Sequence, residues 1–144
     1  MNWQEYNDLA SRKKIEGDLH SAIDLKRAAI AAAGDAHPMN LAILYNGLAS
    51  LLLKTRQANL AEEPARKSIE LELKYGDAGR ETTNLADYYA MMSKVLEAQS
   101  RYREALEYLD KAIPIFIDLL GPDNTFTLGL KESREELEAN SWRG

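Results

Sequence analysis

One pattern of residues recurs three times along this chain of 144 residues. Tyr6–Ala10 (YNDLA) matches Tyr45–Ala49 (YNGLA) at four of five positions, 39 residues later, and a weaker copy, Tyr89–Ser93 (YAMMS), follows after another 44. Each copy has an alanine twelve residues after its last position and then ends in a glycine: Ala22, Ala61 and Ala105, and Gly34, Gly76 and Gly121. A unit repeated at such a period buries its apolar face by stacking on its neighbours. The chain is therefore expected to fold as an array.

Each copy of the pattern is predicted to form two helices. Apolar residues recur at spacings of three and four, as on one face of an amphipathic helix: Leu41, Leu44, Tyr45, Leu48 and Leu52, then Leu85, Tyr88, Tyr89, Met92 and Leu96. A short polar break and a second helical run follow in each copy. The terminal glycine is expected to end that run, because a left-handed backbone costs glycine little. Nothing alternates with period two, so the sequence predicts an all-α protein.

The spacing of an aromatic residue, a leucine and a small residue, followed by two further small residues, resembles the tetratricopeptide repeat along nearly the whole chain. The three sets are Tyr6, Leu9, Ala10, Ala22 and Ala29; Tyr45, Leu48, Ala49, Ala61 and Ser68; and Tyr89, Met92, Ser93, Ala105 and Ala112. The resemblance implies a right-handed superhelical α-solenoid. It predicts repeats at about 3–34, 41–76 and 82–121 in a single domain of residues 1–144. A capping helix is predicted at about 124–140, with Phe126, Leu130 and Leu137 facing inward.

The repeat units are longer than the ~34 residues usual in that family. Their length, and the junctions Gly34–Pro38 and Leu120–Asn124, resemble the longer repeats of kinesin light chains and related bacterial proteins. The third copy departs from that variety at Ala90, where the pattern has asparagine, and only one junction keeps its His-Pro pair. Three helix pairs and a cap form a self-sufficient array, so we expect a complete protein, with a fragment of a longer array as the alternative.

Composition argues against several classes of function. Lys and Arg number 18 against 23 Asp and Glu, and the net charge of −5 disfavours nucleic acid or a polybasic membrane anchor as partner. The absence of cysteine excludes disulfides, thiolate metal sites and cysteine nucleophiles. His20 and His37 have neither metal-ligand spacing nor a nearby nucleophile. We therefore expect no cofactor and no enzymatic activity. With no signal peptide and no membrane span in the sequence, we expect a cytoplasmic monomer or weak homo-oligomer.

In a solenoid of this family the first helix of each pair lines a concave groove. The predicted groove residues are Asn7, Ser11, Lys14, Asn46, Ser50, Lys54, Asp87, Met91, Lys94 and Glu97. Asparagine both donates and accepts hydrogen bonds, so the matched Asn7 and Asn46 could bind the backbone of an extended peptide. The resemblance to kinesin light chains implies the same use. We expect both side chains to point away from the core. The alternative is that these residues are only a polar surface.

The resulting hypothesis is a non-catalytic scaffold or adaptor that binds a peptide or partner segment in the groove. One alternative is a small chaperone-like carrier for a secreted or unstable client protein, because small acidic three-repeat chaperones of bacterial secretion systems resemble this chain in size and charge, though not in repeat length. A carrier needs a more apolar groove than the one expected here, where the apolar side chains are Ile15, Ile43, Leu53 and Met91. A further alternative is an enzyme whose site carries no recognisable motif.

The charges along the predicted groove limit which kinds of partner are expected. Some relatives hold acidic chaperone tails with Lys, Arg and Asn, and the corresponding positions here contain no cation: Asn7, Ser11, Gly47, Asp87 and Met91. Lys26 and Arg27 are interpreted as solubilising surface charges. We therefore expect no receptor for such tails, and instead a neutral or mildly acidic segment docked through the first two repeats. Acidic residues on the first helix of the third repeat would give that segment a preferred direction.

Overall fold

The computed structural model describes residues 1–34, 36–76 and 82–142, so Asp35 of the first junction lies outside the described residues. Within these ranges the chain forms seven helices and no strand, which confirms the prediction of an all-α helical-repeat protein. The helices are α1 (Trp3–Ile15), α2 (Leu19–Ala32), α3 (Pro38–Lys54), α4 (Ala58–Tyr75), α5 (Thr83–Ala98), α6 (Tyr102–Leu120) and α7 (Thr125–Ser141).

The chain divides into two compact units. Unit 1, Met1–Gly76, contains α1 to α4, and unit 2, Asp77–Gly144, contains α5 to α7. In unit 1, α1 packs on α2 and α3 packs on α4, while α2 also contacts α3. In unit 2, α5 packs on α6, and α6 in turn packs on α7. The assignment of three repeats and a cap to one domain stays a prediction.

Small residues are buried at equivalent positions in each helix pair. They are all buried, and they are the small positions of the repeat: Ala10 and Ala22, Ala49 and Ala61, and Ser93 and Ala105. Side chains of this size let two helix axes approach closely. In the third pair the Ser93 hydroxyl also donates a hydrogen bond of 2.8 Å to the carbonyl oxygen of Ala105. Small buried residues therefore recur at the same positions of the repeat, with one polar variation.

Two aromatic rings hold α7 against α6. Phe116, 2% exposed, meets Phe126 edge to face with the ring centroids 4.9 Å apart. Of the three residues predicted to face inward, Leu130 and Leu137 are buried, whereas Phe126 is 48% exposed and contributes only part of its ring. Thr127, which was not predicted to face inward, is fully buried.

Left-handed backbone conformations lie mainly at the turn inside each helix pair. Gly17 (φ 84°), Arg56 (φ 61°) and Ser100 (φ 62°) occupy equivalent positions, each two residues after the first helix of its pair. The prediction had placed this conformation at the three glycines that end the second helices, and of these only Gly121 has a positive φ, 91°. The prediction was wrong for the other two. Gly76, for example, has φ −71° and extended backbone.

Side-chain caps explain where several helices begin. Asn2, Asp18, Thr82 and Asn124 each accept a hydrogen bond from a backbone N–H in the first turn of the helix that follows. His37 does the same for α3, because its Nδ1 accepts from the Met39 N–H at 3.2 Å. This histidine therefore has a structural role at a helix start.

Candidate partner-binding faces

Six of the predicted groove residues lie in unit 1, on α1 and α3. We call them the α1–α3 face: Asn7, Ser11, Lys14, Asn46, Ser50 and Lys54. Ser11, Lys14 and Lys54 are exposed, whereas the two asparagines and Ser50 are partly buried. The matched pairs Asn7/Asn46 and Ser11/Ser50 are not equivalent in detail. The Ser11 hydroxyl donates a hydrogen bond of 3.1 Å to the backbone carbonyl oxygen of Asn7 in the same helix.

A lysine from α2 crosses to this face and connects α1 with α3. Lys26 Nζ donates a hydrogen bond of 2.5 Å to Asn7 Oδ1 on α1. On α3, a β-carbon added to Gly47 would lie 3.1 Å from Lys26 Nζ and 3.2 Å from its Cε. Glycine at position 47 therefore leaves the room that the lysine stem occupies. The interpretation of Lys26 as a solubilising surface charge was wrong.

The position of Lys26 changes the electrostatics of the face. Partial burial lowers the pKa of Lys26, since it removes water from the ammonium group, and the nearby charge of Lys14 lowers that pKa further. Two cations therefore lie close enough to repel each other beside Asn7. The positions Asn7, Ser11 and Gly47 themselves hold no cation, as the sequence shows, but Lys26 of α2 lies beside Asn7 and Gly47.

Both asparagines are more constrained than expected. Asn7 Oδ1 is occupied by Lys26, and Asn46 Oδ1 is buried without a hydrogen-bond partner in the described part of the chain. The expectation that both side chains point away from the core was therefore wrong for Asn46, whose Oδ1 is buried. Neither Nδ2 group donates a hydrogen bond within the described residues. These amide groups are the hydrogen-bond donors that remain for a ligand.

The remaining predicted groove residues, Asp87, Met91, Lys94 and Glu97, lie on α5 in unit 2. Burial raises the pKa of Asp87, and Lys94 opposes that increase. Burial also raises the pKa of Glu97, with a further increase from Glu136 on α7 and an opposing effect from Lys94. This face of unit 2 is acidic, unlike the α1–α3 face of unit 1.

Sequence reasoning missed two residues that shape these faces, Lys26 and Glu136. The sequence did contain one signal for Lys26, because a glycine in the middle of an apolar helix, Gly47, often indicates a close approach by another group. No signal identified Glu136, since adjacent carboxylates on an outer helix face are usually solvated.

The described residues contain neither a metal-ligand cluster nor a membrane-spanning helix. No group of three or more His, Asp or Glu side chains that could hold a metal ion occurs among them. None of their helices combines the length and the apolar character needed to cross a membrane.

Two known proteins illustrate what this chain is similar to. Over 94 residues, 65% of this chain, it is 31% identical to the clustered mitochondria protein homolog of Candida albicans, and this match covers 7% of that protein. The fold resembles a crystal structure of a putative kinesin light chain from Podospora anserina with nearly identical TPR-like repeats, with a TM-score of 0.80 at 16% identity. That likeness covers 96% of this chain and 66% of the other, so the chain spans only part of both proteins.

Residues 85–125 match the family model of the tetratricopeptide repeat. The matched segment includes most of α5 and all of α6, the helix pair that contains the Ser93–Ala105 contact. The likeness to the kinesin light chain shows the fold, and it agrees with the resemblance inferred from the longer repeat units. Proteins built from such repeats are generally non-catalytic scaffolds for protein–protein interaction. One helix pair of this chain therefore matches the tetratricopeptide-repeat model, and its fold resembles that of a protein with TPR-like repeats.

Proposed function

We propose that this chain is a protein-interaction module whose α1–α3 face binds an extended peptide segment of a partner protein. The observation that supports this most directly is the placement of Lys26 between Asn7 on α1 and Gly47 on α3. A cation and two amide side chains thus share one surface, with the cation seated in the space that Gly47 leaves. This combination suits an extended peptide segment: the amides can bind its backbone, and the cation can bind an acidic side chain.

The amide groups supply the contacts that do not depend on the peptide's sequence. Asn7 and Asn46 each have an Nδ2 group that can donate to a peptide carbonyl oxygen. The stem of Lys26 fills the space beside Gly47, so a peptide meets the Asn46 amide and the Lys26 ammonium rather than the α3 backbone. An extended backbone has free carbonyl oxygens for both amides, whereas those of a helix are bonded within the helix. The expected ligand is therefore extended rather than helical at this face.

The charges supply selectivity. Lys14 and Lys26 repel each other, and the pKa of Lys26 is lowered as a result of burial and of that repulsion. A carboxylate bound between them would relieve the repulsion, so a mildly acidic segment is favoured over a basic one. The acidic α5 face, with Asp87 and Glu97, would instead repel such a segment. We therefore assign the site to unit 1.

The test begins with a partner identified by pull-down from native lysate and mass spectrometry, and with labelled peptides that cover its bound region. Replacing Asn7 and Asn46 together by alanine should weaken peptide binding by about tenfold or more in fluorescence anisotropy, since each contact contributes on the order of 1 kcal/mol. Glu107→Ala on α6 is the matched exposed control and should leave the affinity unchanged. Full-strength binding by the double variant would refute the assignment.

A second comparison isolates the role of Lys26. Lys26→Gln should weaken binding of the natural acidic peptide, but it should have little effect on a peptide whose Asp and Glu residues are replaced by Asn and Gln. Circular dichroism of each variant should show unchanged helicity, because Lys26 is only partly buried. Equal losses for the two peptides would show that Lys26 acts through the fold rather than through the ligand's charge.

A further inference from the structure

Unit 1 has a second surface that the proposed peptide site does not use. A cleft of about 220 Å³ lies between α2 and α4, with Arg27, Leu60 and Pro64 among its lining residues. A neighbouring cleft of about 330 Å³ continues along α4 as far as Tyr75. The two share Tyr45, from α3, and Lys67. We call them together the α2–α4 cleft.

The repeat itself explains why this cleft is open. Lys67 lies over the Tyr45 ring at 5.2 Å, and the equivalent Lys111 in unit 2 lies over Tyr89 at 5.6 Å. In unit 2 the ring of Tyr108 adds a third layer to this arrangement, 6.1 Å from the Tyr89 ring. The position in α4 that corresponds to Tyr108, 44 residues earlier, is Pro64. Proline is too small to cover Tyr45 in the same way, so the space remains available.

The side of α4 that borders the cleft has the spacing of a helix-packing seam. Its residues succeed one another at intervals of four, three, four and three: Leu60, Pro64, Lys67, Leu71 and Lys74. This is the spacing at which one helix meets another along its length. The stretch is about 21 Å long at 1.5 Å per residue, which matches a partner helix of about four turns. Leu60 is 55% exposed at one end, and Tyr75 is 47% exposed near the other.

The charges at the edge of the cleft indicate the chemistry of that partner. Three cations and two carboxylates line it: Arg27, Lys67 and Lys74, and Glu63 and Glu70. Glu63 is 3.8 Å from Lys67, so the central cation is already paired. Arg27 and Lys74 therefore place a cation near each end of the cleft, in a chain whose net charge is −5. Acidic residues at the ends of a docked helix complement this arrangement.

We propose that the α2–α4 cleft binds an amphipathic helix of a partner protein. Apolar residues of that helix pack on Tyr45, Leu60 and Leu71, and its acidic residues face Arg27 and Lys74. This interaction is distinct from the extended peptide proposed for the α1–α3 face. The two surfaces share none of the residues that carry the two proposals.

The probe is a displayed library of peptides of about 18 residues, long enough for a helix of the required length. Each peptide carries leucine at helix-packing spacing, and its flanking positions vary among Asp, Glu, Lys and Gln. Selection on the full chain should enrich sequences with acidic flanks. Their binding should increase peptide helicity in circular dichroism. Enrichment of basic flanks, a bound peptide without helicity, or no enrichment at all would overturn the proposal.

Two substitutions test where the helix binds, and each introduces the residue found at the equivalent position of unit 2. Pro64→Tyr introduces the ring that stands at the equivalent position of α6, and Leu60→Glu introduces the residue equivalent to Glu104. Each should reduce affinity for a selected peptide by about tenfold or more. Leu60 is exposed, so its replacement keeps the test valid even if Pro64→Tyr disturbs the packing. Unchanged affinity in Leu60→Glu would refute the site.

The double variant Asn7→Ala with Asn46→Ala separates the two proposals. It should bind the selected helical peptide as the natural chain does, whether or not the α1–α3 face binds an extended segment. Loss of helical-peptide binding in this variant would place the helix on the α1–α3 face and overturn the α2–α4 assignment. Arg27→Gln with Lys74→Gln should in addition reduce the dependence of affinity on salt.

Discussion

The three equivalent turns provide a direct test of backbone strain, because the chain uses glycine at only one of them. Gly17, Arg56 and Ser100 all have positive φ, between 61° and 84°. The β-carbons of arginine and serine make this conformation costly, whereas glycine adopts it freely. We expect Gly17→Ala to destabilise the protein, and Arg56→Gly and Ser100→Gly to stabilise it. The opposite signs at equivalent positions make the test sensitive.

The expected change in the free energy of unfolding is the difference between two opposing effects. A β-carbon in left-handed backbone costs about 1–2 kcal/mol, and a residue other than glycine recovers about 0.4–1 kcal/mol through the lower entropy of the unfolded chain. A β-carbon added at Gly17 meets nothing within 4 Å, so no packing contribution enters. The Arg56 and Ser100 side chains are exposed, so their removal costs little. The net change is about 0.5–1 kcal/mol at each position.

Urea unfolding followed by circular dichroism measures these changes, with Glu16→Gly as the control. Glu16 precedes Gly17 and has ordinary helical angles, φ −70° and ψ −9°. Glycine there should lower the free energy of unfolding by about 0.5–1 kcal/mol. If Arg56→Gly and Ser100→Gly lower it as much as this control does, the left-handed turns do not store the strain inferred from their φ angles.

Two further predictions concern unit 2. The raised pKa of Glu97, caused by burial and then by Glu136, means that the folded protein binds this proton more tightly than the unfolded chain. Glu97→Gln should therefore increase the free energy of unfolding at pH 7, and the gain should disappear below the unperturbed value of 4.5; a gain independent of pH in urea titrations would contradict this. Phe116→Ala should lower the free energy of unfolding by about 3–5 kcal/mol, because Phe116 is buried. Replacement of the half-exposed Phe126 by alanine should lower the free energy of unfolding clearly less. Equal losses for the two variants in the same assay would contradict the packing described for α7.

Periodic patterns made the helices predictable. Apolar residues at three- and four-residue spacing determine which face of a helix is buried, and this information is local to each segment. The small residues of the repeat, such as Ala49 and Ala61, identified the contact within each helix pair because only small side chains permit a close approach. The all-α class and the resemblance to the tetratricopeptide repeat followed from these features.

The details of the candidate surfaces depended on packing between segments far apart in the sequence. Lys26 looked like one surface charge among several, and only the space left by Gly47 and the acceptor on Asn7 bring it between α1 and α3. The identity of a long, flexible side chain does not determine which neighbouring helix it reaches.

Tertiary structure also decided where the repeats differ from one another. The sequence by itself determined that Pro64 and Tyr108 occupy equivalent positions, because the repeat register fixes that correspondence. Only the folded structure shows that Tyr108 packs against Tyr89 while Pro64 lines an open cleft. The physical reason is that a cleft depends on the volumes of side chains contributed by several helices at once, whereas a repeat pattern records one position at a time.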